Sequence, residues 1–205
     1  MAESDPEDVG AVVLAAGSSS RMGAPKQLLR FGGQTLLRRA ALAALGAGCR
    51  PVVVVTGAYA ELSRGELRGL EVLEAVNERW ADGMASSIRA GLWALVGADA
   101  GASAVVLMLC DQPYVTPEVV ASLVAAHSAT GRPLVASRYG ESFGAPALFA
   151  RPLFAELAGL EGAAGAKQVI KSHASEAHFV DFPAGEVDVD TPEDFARLPT
   201  PPAGP

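Results

Sequence analysis

Apolar residues in this chain fall into short unbroken runs. The runs alternate with stretches in which leucine and alanine recur every three or four positions. The first pattern marks strands buried on both faces; the second marks helices with one buried stripe. Residues 9–15 (VGAVVLA), 51–56 (PVVVVT) and 105–109 (VVLML) read as buried strands, and residues 71–76 as a shorter, partly alternating one. Residues 34–46 carry Leu36, Leu37, Leu42 and Leu45 as a helical stripe. Residues 60–67 fit a short helix, and residues 84–96 place Ile88, Leu92 and Leu95 on one helical face. Another helix opens at Thr116, with Thr116 as N-cap, Pro117 in the first position and Glu118 in the first turn. Beyond residue 132 the candidate strands shorten to 134–137, 147–149 and 178–182. They alternate with short helices around 152–160 and 164–173.

This order predicts an α/β fold, Rossmann-like and three-layered, with a mostly parallel central sheet and helices on both faces. The last part is expected to add an antiparallel or edge element. No linker or repeat interrupts the pattern, so residues 9–198 are expected to form a single domain. An acidic tail (1–8) and a Pro-rich tail (199–205) are expected to be disordered. A chain of 205 residues suits one domain with its own core.

Composition narrows the function. The net charge is −7, from 16 Lys plus Arg against 23 Asp plus Glu, and no basic stripe offsets it. A nucleic-acid binder is therefore not expected. The longest uncharged stretch, residues 119–131, has 13 residues, against about 20 for a membrane span. The first eight residues are acidic, unlike the start of a signal peptide. Cys49 and Cys110 lie 61 apart without a CxxC and read as buried small hydrophobes. His127, His173 and His178 share no metal-ligand spacing. The expected location is the cytoplasm.

In open α/β sheets ligands sit beyond the carboxyl ends of the strands, so the residues after each apolar run matter most. After the first run come Leu14, Ala15, Ala16, Gly17, Ser18, two further serines, Arg21 and, after Gly23 and Pro25, Lys26. Small residues let backbone N–H groups approach an anion. Arg21 can fork onto phosphate oxygens, and Lys26 offers a mobile point charge. The spacing is neither a Walker loop nor GxGxxG. A plain Gly/Ser-rich turn with surface cations accounts for the same residues. Asp111 ends the 105–109 run and needs a cation partner, a hard divalent ion being one candidate and a turn cap the other. Asp188 and Asp190 would alternate on a strand and face one way, ahead of a helix capped by Thr191, or simply end a solvated strand. Asn77, Gly83 and Ser87 surround a loop-to-helix junction that can read a base or ribose, or merely cap the helix. Trp80 fits a stacking role or a core role. Arg38, Arg39, Arg64 and Arg68 are expected to be solvated.

Four segments taken together, LAAGSSSRMGAPKQLL, NERWADGMASSIRAGL, LMLCDQPYVT and VDVDTPEDF, resemble the MobA-like nucleotidyltransferases of molybdenum cofactor biosynthesis. Among these they are most similar to the molybdenum cofactor cytidylyltransferases. The resemblance covers about residues 9–198. It implies a GT-A-like nucleotidyltransferase fold. It also implies Mg²⁺ or Mn²⁺ near Asp111 and Asp190, nucleotide phosphates on the Ala15–Lys26 loop, and nucleoside contacts from that loop with Asn77, Gly83 and Ser87. The LAAG form points to the cytidylyl branch. Two departures fall on the acceptor side: Ala145 stands where relatives often carry His, and residues 162–167 read GAAGAK where relatives often read GDxGAR.

The expected reaction joins the nucleoside monophosphate of CTP, or another NTP, to the phosphate of a molybdopterin-type acceptor with release of pyrophosphate. Arg21 and Lys26 are the expected catalytic cations. A molybdenum hydroxylase or its chaperone is a candidate partner. Other acceptors remain open: guanylyl transfer to molybdopterin, methylerythritol phosphate (Pro25-Lys26-Gln27 also occurs in those cytidylyltransferases), a sugar phosphate or a phospholactate. A non-catalytic molybdopterin carrier is the reading from another class.

Overall fold

A computed structural model describes residues 9–199. The expected tails lie outside these residues, except Pro199. Nine strands are formed: β1 Val9–Leu14, β2 Arg30–Phe31, β3 Gln34–Thr35, β4 Val52–Thr56, β5 Leu73–Val76, β6 Ala104–Leu109, β7 Leu134–Tyr139, β8 Ser142–Ala150 and β9 His178–Asp181. Seven of them make one sheet in the order β5-β4-β1-β6-β8-β7-β9, and β2 pairs with β3 alone. The helices are α1 Leu36–Gly46, α2 Ala60–Glu66, α3 Met84–Ala98, α4 Pro117–Thr130, α5 Phe154–Ala158, α6 Lys167–Ser172 and α7 Pro192–Ala196.

The unbroken apolar runs are explained by burial on both faces. Val9, Ala11 and Val13 of β1, Val52 and Val54 of β4, and Val106 and Met108 of β6 pack on one face under α1 and α4. Val12, Val53, Val55, Val105 and Leu107 point the other way, onto α3, α5 and α6. A fully buried valine or leucine contributes about 1.5–3 kcal/mol relative to exposure, so this central ladder anchors the domain.

Strands β5, β4, β1 and β6 are parallel, whereas β8 runs antiparallel to both β6 and β7. The expected antiparallel element is therefore a β7–β8 hairpin. Both of its strands outrun the 134–137 and 147–149 predictions, because their polar ends, Arg138 to Ser142, hid the pairing. The helix at 116 starts as expected, yet Thr116 makes no side-chain cap bond. Residues 187–190 are not a strand. They form an extended return segment whose Val189 N–H donates to the Asp111 carbonyl at 3.0 Å, and Val189 is buried with Met22, Phe31 and Leu36.

Candidate active site

Chain order reverses across β1, with β4 following on one side and β6 on the other. Such a switch point opens a crevice. Leu14 lies opposite Leu109 in register, so the loops after β1 and β6 emerge side by side. Between them lies an open cleft of about 340 Å³, lined by residues 14–18, Lys26, Gln27, Trp80, Gly83, Met84, Ser87 and Asp111 among others. Leu14, Ala15, Ala16, Gly17, Ser18, Lys26, Gly83, Ser87 and Asp111 thus line one cavity.

The first loop is tied down by its carbonyls. Ala16 O accepts from Ala58 N at 3.0 Å, and Ser18 O accepts from the Tyr59 hydroxyl at 3.1 Å. The N–H groups of Ala16, Gly17 and Ser18 donate to nothing among the described residues. A fixed loop with free amides is an anion cradle. Ser19 then adopts a left-handed φ of 52°. Its Oγ accepts from Lys26 N and donates to Gln27 Oε1, each at 3.2 Å, which folds the loop back so that Lys26 faces the cleft.

Lys26 is the hub. Its ammonium is paired with Asp111 Oδ2 and, at 2.8 Å, with Asp190 Oδ1. Arg21, an exposed side chain, holds Asp190 Oδ2 at 2.8 Å. Burial pulls the Lys26 pKa down, but the two carboxylates outweigh it and hold the group well above the ordinary lysine value. Burial acts on Asp190 in the opposite sense to its cations, and Lys26 and Arg21 keep it below the ordinary carboxylate value. Asp111 Oδ1 is buried without a partner. Two hard carboxylates converging on one point, with one oxygen still unpaired, fit a divalent cation. Among the described residues no group of three His, Cys, Asp or Glu could hold a metal, so the remaining ligands would come from nucleotide or water.

Other predicted residues sit differently. Asn77 lies behind the cleft, donating to Ser86 Oγ at 2.8 Å and Ser87 Oγ at 3.0 Å. Gly83 has φ 106°, and a Cβ on it would lie 2.2 Å from Gly162 O. Only glycine permits that approach, which joins the start of α3 to the 161–166 segment; Ala85 N donates to Gly162 O at 3.2 Å. Trp80 packs on the core, one of the two roles considered for it, and also lines the cleft. Both cysteines are free and buried; burial raises the Cys110 thiol to about 12. Arg39 is not solvated as expected: it donates to Pro113 O at 3.0 Å and lies 5.1 Å from the Phe31 ring centre. Arg38 likewise donates to Glu66 O at 2.7 Å.

Sequence reasoning missed Gln27, which is 1% exposed, holds Ser19 and has an unpartnered Nε2. Nothing but its place after Lys26 signalled it. Asp188, expected to face the same way as Asp190, lies with it on the irregular return segment. Burial, then Asp111 and Asp190, push its pKa up to about 6.

A family model described as the MobA-like NTP transferase domain matches residues 11–177. This chain belongs to that family. The MobA-like fold recurs in Rv0371c from Mycobacterium tuberculosis H37Rv, which is 32% identical, with TM-score 0.77 over 93% of this chain and 97% of that one. A manganese complex of the same mycobacterial protein superposes with TM-score 0.74 at 30% identity, over 93% of this chain and 97% of that one. Nicotine blue oxidoreductase of Paenarthrobacter nicotinovorans is 34% identical over 217 residues, covering 97% of this chain and 100% of its own length. The printed name of that full-length relative describes an oxidoreductase.

Proposed function

We propose that this MobA-like protein is a cytidylyltransferase that moves CMP from CTP onto the phosphate of a molybdopterin-type acceptor and releases pyrophosphate. The observation that carries this reading is the meeting of Lys26, Asp111 and Asp190 at the mouth of a cleft whose first loop offers free N–H groups. An acceptor phosphate is already largely ionised near neutral pH, so no side-chain nucleophile is required. The chain's task is alignment and charge neutralisation. The amides of residues 16–18 bind nucleotide phosphate oxygens. Arg21 and Lys26 offset the charge that grows on the departing pyrophosphate. Asp111 and Asp190 would hold Mg²⁺ or Mn²⁺, which when bound would supply charge neutralisation at the α-phosphate. The manganese complex of the mycobacterial relative supports that choice of ion. Ser87, Gly83 and Trp80 lie where a nucleoside would rest, with Asn77 fixing Ser87. The work is assigned to the cytoplasm, with a molybdenum hydroxylase or its chaperone receiving the product.

The test is pyrophosphate release from purified protein with Mg²⁺, a molybdopterin-type acceptor and CTP, GTP and ATP in competition. CTP is expected to give the highest kcat/KM; a preference for GTP moves the protein to guanylyl transfer. A second reading, an oxidoreductase, is favoured by the name of the full-length relative, nicotine blue oxidoreductase. Reduction of nicotine blue by an added electron donor, in the absence of any pyrophosphate release, would replace the first reading by the second.

A further inference from the structure

Of the four oxygens on Asp111 and Asp190, three are held by the chain's own cations. Lys26 takes one from each residue, and Arg21 takes the second oxygen of Asp190. The fourth, Asp111 Oδ1, is buried without a partner. A divalent ion binds carboxylate oxygens at about 2.0–2.6 Å. An ammonium already bonded to both carboxylates would stand almost on top of it, and two cations cannot share that point. Lys26 also lines the cleft beside the free amides of the first loop, and its four-carbon stem is flexible. The ammonium can therefore reach an anion in the cradle by turning its side chain alone.

We propose that Lys26 and the divalent ion are alternative occupants of one carboxylate pair, and that nucleotide admits the ion by drawing Lys26 onto its phosphates. The inference rests on the assignment of Asp111 and Asp190 as metal ligands made above. It gives Lys26 a second role: it keeps the acid pair neutralised until a phosphate anion is present. Metal and nucleotide then bind with positive coupling, which is reciprocal. Arg21 is peripheral and holds only the outer oxygen, so its removal is expected to release far less metal affinity.

The test titrates Mn²⁺ into the full chain, read by the electron paramagnetic resonance of free Mn²⁺, with and without α,β-methylene CTP. Wild type is expected to bind Mn²⁺ at least tenfold more weakly alone than with the analogue. Lys26→Met is expected to bind Mn²⁺ alone at least tenfold more tightly than wild type and to lose most of the analogue's effect. Adding Asp111→Asn to Lys26→Met should remove the gain. If Lys26→Met does not fold, by circular dichroism, Lys26→Gln retains a donor and carries the same expectation; if neither folds, the wild-type coupling decides. Equal Mn²⁺ affinity in folded wild type and variant, or no Mn²⁺ binding in either, overturns the proposal. If the CTP analogue fails to bind by calorimetry, the cytidylyl reading falls. A tighter Mn²⁺ site in Lys26→Met would still uphold the exchange.

Discussion

The two sides of the cleft are built by different means. Toward β1, β4 and β5 the surface is backbone. Residues 16–18 expose N–H groups, and Gly57 sits so close that a Cβ there would lie 2.7 Å from Ala16 O and 2.8 Å from Trp80 Cβ. Toward β6, β8 and β7 the surface is held by side chains. Gln112 Nε2 bridges Ala145 O at 3.1 Å and Gly185 O at 3.0 Å, Ser137 Oγ donates to Pro146 O at 2.7 Å, and the Tyr139 hydroxyl occupies the space a side chain on Gly144 would need. A backbone cradle suits what every NTP shares, its phosphates. A side-chain wall can be altered residue by residue without disturbing the sheet, which suits a partner that differs among relatives. Of the two departures from the family pattern, Ala145 falls on that second wall, where Gln112 holds its carbonyl, while residues 162–167 pack on the start of α3 at Gly83 and Met84.

The hardest test of the division strikes the hinge between the walls. Asp111→Asn is expected to lower kcat by about 10²–10³-fold, the range seen when one preorganised electrostatic group is lost, with the fold retained by circular dichroism. Near-wild-type turnover with Mg²⁺ would break the assignment. The next test stays on the backbone wall. Gly57→Ala should lower stability in urea by about 1–3 kcal/mol through overpacking. Gly17→Ala meets nothing within 4 Å, so its stability should stay within about 0.5 kcal/mol of wild type, while CTP binding weakens because the methyl obstructs the phosphates. If both glycines behave alike, the cradle is not shaped by backbone approach.

The contrast also explains what the sequence disclosed. Continuous runs such as VVVVT and VVLML announce strands buried on both sides, and the motif after each run sits where a parallel sheet delivers it. That made Lys26, Asp111 and the first loop legible as one site. The β7–β8 hairpin was only half legible, since its outer residues, Arg138, Tyr139 and Ser142, alternate with no apolar signal. Arg39 read as a surface residue and Gln27 was passed over, because burial of a polar side chain depends on tertiary packing that its sequence neighbours do not announce. Asp190 was legible by motif but not by geometry: a strand was expected where the chain makes an irregular return.

That return yields the smallest expected effect. Thr191 Oγ1 accepts from Asp194 N, and the Asp194 carboxylate accepts from Thr191 N, a reciprocal cap on α7. Thr191→Ala should cost about 1 kcal/mol of stability. The Thr191 bonds hold the Asp194 pKa below 3.8, so the carboxylate's contribution is present above that value and fades as pH falls through the depressed one. Asp194→Asn should flatten this part of the Tm-against-pH curve. An unchanged acid limb would place the cap outside the cooperative fold.

The bond from Val189 to the Asp111 carbonyl has a consequence for how the protein is made. Synthesis runs from the amino end, so the ribosome has joined every strand of the sheet by residue 181, while Asp190 has not yet been added. The nascent chain therefore carries a cradle and one acid but no pair. The second acid arrives with the closing segment, and chains cut short after β9 lack it however well their sheet has folded.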